Sequence, residues 1–144
     1  MNGPIVAHAE GGEAMEISWF AVLVAAIVKF AIGWLWYSPM GFLKQWQEAT
    51  KAPPGATSDM TTGMIVEAIG DLVIAYILAR FVAFYGHGLW HGVLVGFMAW
   101  LGFVAPFLAN QIYFEKRPQQ VATINGGYAL VSLIVMGAIL GIWY

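Results

Sequence analysis

Residues 17–38 read ISWFAVLVAAIVKFAIGWLWYS, an apolar run broken by a single charge at Lys29. A helix needs ~20 such residues to cross the hydrocarbon core of a bilayer. A lysine in the middle of one must find a partner or an aqueous cavity. The same test carried along the chain finds three more runs, at residues 60–85, 89–109 and 124–143. Composition agrees, with hydrophobic residues at 60% of the 144 and charged ones at 10%, too much apolar surface for a small soluble domain to hide. The expected fold is a single-domain, all-α integral membrane protein, with four transmembrane helices in an antiparallel bundle.

Beyond the first run the chain continues Pro39-Met40-Gly41-Phe42-Leu43-Lys44-Gln45-Trp46. Pro39 disfavours helix at Ser38 and redirects the backbone. Phe42, Leu43 and Trp46 then suit the acyl boundary while Lys44, Gln45 and Glu48 stay wet, the pattern of a short interfacial amphipathic segment. Trp34, Trp36, Tyr37, Pro39 and Trp46 are accordingly read as an interfacial anchor at the inner headgroups. Pro53-Pro54-Gly55 forbids a continuing helix, so residues 39–59 form the first connection. Gly86-His87-Gly88 makes a tight hairpin of the second and third spans, and residues 110–123 form the last connection.

Lys44 and Lys51 in the first connection, with Lys116 and Arg117 in the third, place both on the cytoplasmic side. Both termini are then outside and the membrane is the cell inner membrane. Arg80, near the outer end of its span, dissents and must snorkel. Residues 1–16, with Glu10, Glu13 and Glu16, read as an acidic outer tail and lack the basic start and apolar core of a signal peptide.

Several segments resemble the bacterial membrane-protein family catalogued as domain of unknown function 1761. They are Gly33-x-x-Trp36-Tyr37-Ser38-Pro39 with Phe42 and Trp46, then Trp100-Leu101-Gly102-Phe103 with Pro106, Phe114 and Arg117, and Ile124-Asn125-Gly126-Gly127-Tyr128 before a Gly-rich last helix. The resemblance implies a small four-span protein and supplies no catalytic residues. Lys29, Glu67, Asp71, His87 and His91 map onto none of its motifs.

Those five residues therefore rest on physical chemistry. Counting ~1.5 Å per residue from the cytoplasmic ends, Lys29 lies ~14 Å deep, Asp71 ~15 Å and Glu67 ~9 Å, the two carboxylates on one helical face. Depth pairs Lys29 with Asp71, since burying either charge alone is far worse than burying both. One lysine cannot neutralise two carboxylates. Glu67 must reach inner-side water, carry a proton or bind a cation. The three residues form either a structural ion pair with a satellite or a proton or cation relay.

His87 and His91 are spaced i, i+4, which sets two imidazoles on one helix face. Two ligands fall short of the three or four a metal site takes; His8, Glu10 or Glu13 would have to supply the rest. Haem or chlorin ligation is the other use, without any Cys-x-x-Cys-His attachment sequence to support it. The cofactor is thus left unknown. Gly88, Gly92 and Gly96, and again Gly137 and Gly141, recur every four residues, the small-xxx-small pattern through which helix backbones touch, within the chain or between copies. Pro106 should kink the third span. Trp34-Leu35 and Trp100-Leu101, each followed by a proline and a lysine, hint at a duplication of the kind transporters use.

No Gly-x-Ser-x-Gly, His-Glu-x-x-His, P-loop or dinucleotide fingerprint occurs, and no histidine lies at the depth of Ser38 or Ser132, so the chain is not read as an enzyme. Six Lys+Arg and a net charge of −2 make no basic stripe for nucleic acid. The partners expected are the lipid bilayer and a second copy or a larger membrane complex. The first function expected is that of a non-enzymatic inner-membrane protein acting through self-assembly or as an accessory subunit. The alternatives are an oligomeric channel or proton/cation-coupled carrier using Lys29, Glu67 and Asp71, and a haem-, chlorin- or metal-binding subunit using His87 and His91.

Overall fold

A computed structural model describes residues 16–51 and 60–144, and among these every regular element is helical. Ser18 opens α1 (Trp19–Trp36), its Oγ accepting from the Ala21 N–H at 3.2 Å, which satisfies one of the donors a helix start leaves free. The helix ends two residues before the Ser38 limit of the apolar run, as Pro39 requires. After the turn comes α2 (Leu43–Thr50), closed by Lys51 in the left-handed conformation at φ 52°.

Helix α3 (Met60–Tyr85) ends at Gly86, φ 147°, and Gly88, φ 105°. Both angles lie where a Cβ is strained, so this hairpin needs glycine at these two places. From there α4 (Leu89–Ala99), a π-helical turn (Trp100–Val104) and α5 (Ala105–Tyr113) follow without interruption. The break expected at Pro106 thus takes the form of a wider turn just before it: the Ala105 N–H donates to the Trp100 carbonyl, five residues back. Such insertions re-aim side chains and concentrate at functional sites. The rod continues to Tyr113, beyond the Ala109 limit expected. The last helix, α6 (Gln119–Trp143), starts five residues before Ile124, because Pro118 can begin a helix whatever the polarity of Gln119, Gln120 and Thr123.

Among the described residues three helices are long and apolar enough to cross a membrane: Trp19–Trp36, Leu89–Tyr113 and Gln119–Trp143. Helix α3 has 26 residues but carries Glu67, Asp71 and Arg80.

The interior is built of small residues. Ala21, Val22, Ala25 and Ala26 of α1 meet Ala75, Leu78, Ala79 and Val82 of α3, with Val95 of α4 and Met136 and Leu140 of α6 closing the cluster. Alanine faces let helices approach closely where lipid supplies no hydrophobic drive for association. Large apolar side chains point the other way, with Trp90 77% and Phe84 84% exposed, while Lys29 and Asp71 are buried. Charge inside and grease outside is the reverse of a water-soluble protein.

The five glycines form one seam inside the chain. A Cβ on Gly92 would stand 2.7 Å from the Gly137 carbonyl carbon and 3.0 Å from the Gly141 Cα, and the Gly88 N–H donates to the Gly141 carbonyl at 2.8 Å. Backbone rests on backbone along α4 and α6.

Candidate functional site

Lys29 projects from α1 toward α3 and α6, and its ammonium finds three acceptors. It contacts Asp71, donates to Glu67 Oε1 at 3.0 Å and donates to the Tyr128 hydroxyl at 2.9 Å. That hydroxyl in turn donates to Glu67 Oε1 at 3.0 Å, and the ammonium lies 4.8 Å from the Tyr128 ring centre. An ammonium has three N–H groups, so none is left over. Acceptors remain in surplus: the buried Asp71 Oδ2 has no hydrogen-bond partner among the described residues. Asp71 is 1% exposed, whereas the Glu67 side chain is 50% exposed.

Glycine makes room for this arrangement. A Cβ on Gly33, one turn along α1 from Lys29, would meet Tyr128 Cζ at 3.1 Å, so the phenol sits where a side chain would be. Beyond it the end of α1 is clasped to α6. The Trp36 Nε1–H donates to the Ile124 carbonyl at 3.1 Å, and the Tyr37 hydroxyl donates to Asn125 Oδ1 at 2.6 Å. The Tyr37 ring stands edge-on to Tyr128 at 5.4 Å and to Trp46 of α2 at 5.9 Å. From the π turn, the Trp100 Nε1–H donates to the Gly126 carbonyl at 2.9 Å.

The residues read as an interfacial anchor divide between two directions. Trp34, 73% exposed, and exposed Pro39 do face outward. Trp36 and Tyr37 turn inward, where the ring N–H and O–H find acceptors on α6, as such groups usually do once buried. Tyr37→Phe is expected to lower stability in detergent unfolding by about 1 kcal/mol. Asn125→Ala should do the same, and the double change little more, since both remove one bond.

A family model described as Protein of unknown function (DUF1761) matches residues 20–141. The chain belongs to this family. No curated protein and no solved structure matches it. The segments on which the DUF1761 resemblance rests are far apart in sequence yet meet here: Gly33, Trp36 and Tyr37 from the first, Trp100 from the second, and Ile124 to Tyr128 from the third.

Sequence reasoning missed Tyr128 as a partner of the charges. Counted from the Ile124 start expected for the fourth span, Tyr128 is only ~6 Å deep, whereas α6 as observed starts at Gln119 and puts it ~14 Å in, level with Lys29 and Asp71. A tyrosine in an apolar run was legible only as a motif letter.

The histidines do not sit one turn apart on a helix as the spacing suggests. His87 precedes α4, so the pair shares no helix face; the His91 ring lies 6.1 Å from Tyr85 and the His87 ring 6.5 Å from Tyr144. Among the described residues no three His, Cys, Asp or Glu side chains gather as a metal would need. His8, Glu10 and Glu13 lie outside the described residues.

Three cavities follow α3 along its length. One of about 590 Å³ is walled by Met60, Trp34, Tyr37, Trp46, Glu67 and Tyr128. The next, about 440 Å³, shares Glu67 and Tyr128 with it and runs past Ile77 to Phe81 and Phe103. A third, about 330 Å³, shares Phe81 and Phe103 with the second and reaches Tyr85. The charged groups lining these cavities are Lys29 and Glu67.

Proposed function

We propose that this protein is a small carrier of protons or cations, with Lys29, Glu67, Asp71 and Tyr128 as its exchange site. In this reading α1, α3, the α4–α5 rod and α6 are four spans of the inner membrane. The connections holding Lys44, Lys51, Lys116 and Arg117 face the cytoplasm and both termini face outward. Helix α3 can cross despite its charges because Glu67 and Asp71 are partnered by Lys29 and Arg80 sits near the helix end, within reach of headgroups.

The observation that carries the reading is the place of Glu67 on the shared wall of two cavities, within a network that holds two carboxylates for one ammonium. A purely structural ion pair would be served by Lys29 and Asp71 alone. Glu67 adds a half-exposed carboxylate that lines both cavities, and a proton or a cation would neutralise its charge. The rival reading, action through assembly with itself or a larger complex, drew on the glycine stripe, and that stripe is occupied within the chain. Exposed apolar side chains do not restore it, since lipid covers them.

Reconstituted into liposomes, the protein should pass protons or monovalent cations under an imposed potential. Glu67→Gln should lower that flux about tenfold or more, and Asp71→Asn should lower it as well. A flux no higher than that of empty liposomes, or one indifferent to both changes, rejects the carrier.

A further inference from the structure

We infer that the cavity of about 440 Å³ beside Glu67 is a binding site for a lipophilic organic cation, an amine or onium compound whose charged centre rests against Glu67 and whose apolar body lies between Phe81 and Phe103. The inference rests on the carrier reading for its role in transport, and on the cavity alone for its ligand.

Charge decides the sign. Every N–H of the Lys29 ammonium is taken by Glu67, Asp71 or Tyr128, so the one cation on the wall has no donor to offer an anion. The carboxylates have acceptor capacity to spare. Both hydrogen bonds that Glu67 accepts from the described residues fall on Oε1, which leaves Oε2 for an incoming group. The buried Asp71 Oδ2 is also without a donor, and with both carboxylates ionised against one ammonium the cluster holds one negative charge in excess. A positive charge entering here completes what the residues leave open.

The wall decides the kind of cation. A hard inorganic ion sheds its water only for about six oxygen ligands, and the side chains lining this cavity offer such oxygens only at Glu67 and Tyr128. Apart from Lys29, the rest is Val, Ile, Leu, Ala and Phe, with Val73, Ile77 and Leu133 among them. An organic cation with diffuse charge is cheap to desolvate and has apolar surface to bury against such a wall. Two rings besides Tyr128, those of Phe81 and Phe103, line the cavity, and aromatic rings attract cations to their faces. The volume lies within the ~300–1,000 Å³ range of small-molecule sites. The π turn contributes directly, since Phe103 and Val104 of that turn line the cavity.

The test uses the whole protein in detergent or nanodiscs and two probes of nearly the same shape and opposite charge, tetraphenylphosphonium and tetraphenylborate. Saturable binding of the phosphonium is expected, with none of the borate. Glu67→Gln should weaken phosphonium binding about tenfold or more. Ala129→Leu, which fills the cavity and leaves the charges alone, should weaken it too, and this variant decides the matter if Glu67→Gln does not fold. Equal binding of both probes, unchanged binding in the folded variants, or no saturable binding to the folded wild-type protein overturns the inference. Glu67-dependent proton flux without phosphonium binding would leave the carrier standing and remove this ligand. Phosphonium binding without any flux would do the converse.

Discussion

Lys29→Met is expected to lower the free energy of unfolding in detergent by about 3–5 kcal/mol, the range for stripping one partner from a buried ion pair. The change removes the donor that serves Asp71, Glu67 and Tyr128 together, leaving Asp71, 1% exposed, with a charge and no counter-ion. Neighbouring Glu67 then repels it. A loss below about 1 kcal/mol, the size of a surface ion pair, would mean that water reaches these groups and that the interior is not dry. Combining Lys29→Met with Asp71→Leu and Glu67→Gln removes every charge of the cluster, and should recover most of the stability because an apolar replacement no longer strands anything. If the network serves exchange, the recovered protein stays inactive in the flux assay. If it only holds helices together, flux returns with the fold.

The other large effect is expected at Gly92. What a Cβ meets there is the main chain of α6, Gly137 and Gly141, which no rotamer change can move aside. Gly92→Ala should cost about 1–3 kcal/mol, as overpacking of a filled interior does. Gly92→Val should prevent accumulation of folded protein altogether. The control is Gly70→Ala on α3, where a Cβ meets nothing within 4 Å, and where helix propensity favours alanine by about 0.5–1 kcal/mol. Equal tolerance at Gly92 and Gly70, read by thermal melting in micelles, would show that the two backbones do not touch.

Hydropathy made the long helices legible, because exclusion of water from a bilayer acts on composition over ~20 residues and needs no knowledge of neighbours. The short amphipathic α2 was legible for a related reason: Leu43 and Trp46 alternate with Lys44, Gln45 and Glu48 at helical spacing. Depth counting joined Lys29 to Asp71, since helices in a layer of fixed thickness have a common ruler. What it could not tell was rotation. Trp36 and Tyr37 look the same in a sequence whether they face headgroups or another helix, and only the positions of Ile124 and Asn125 on α6 decide. The glycine spacing announced a close contact without naming the partner. The π turn was beyond reach, because Pro106 signals a disrupted hydrogen bond while the way the chain absorbs it depends on where Trp100 finds the Gly126 carbonyl.

The seam between α4 and α6 gives the molecule an uneven stiffness. Two rods in direct main-chain contact, tied by the Gly88–Gly141 bond, have no side chains between them to rearrange and so behave mechanically as a single plank. Helix α3, bordered by cavities along one flank and held by alanines on another, has no such glycine seam: a Cβ on its Gly63 or Gly70 meets nothing within 4 Å. On the carrier reading, widening of the cavities beside Glu67 would fall to α3, with the lysine knot as its pivot.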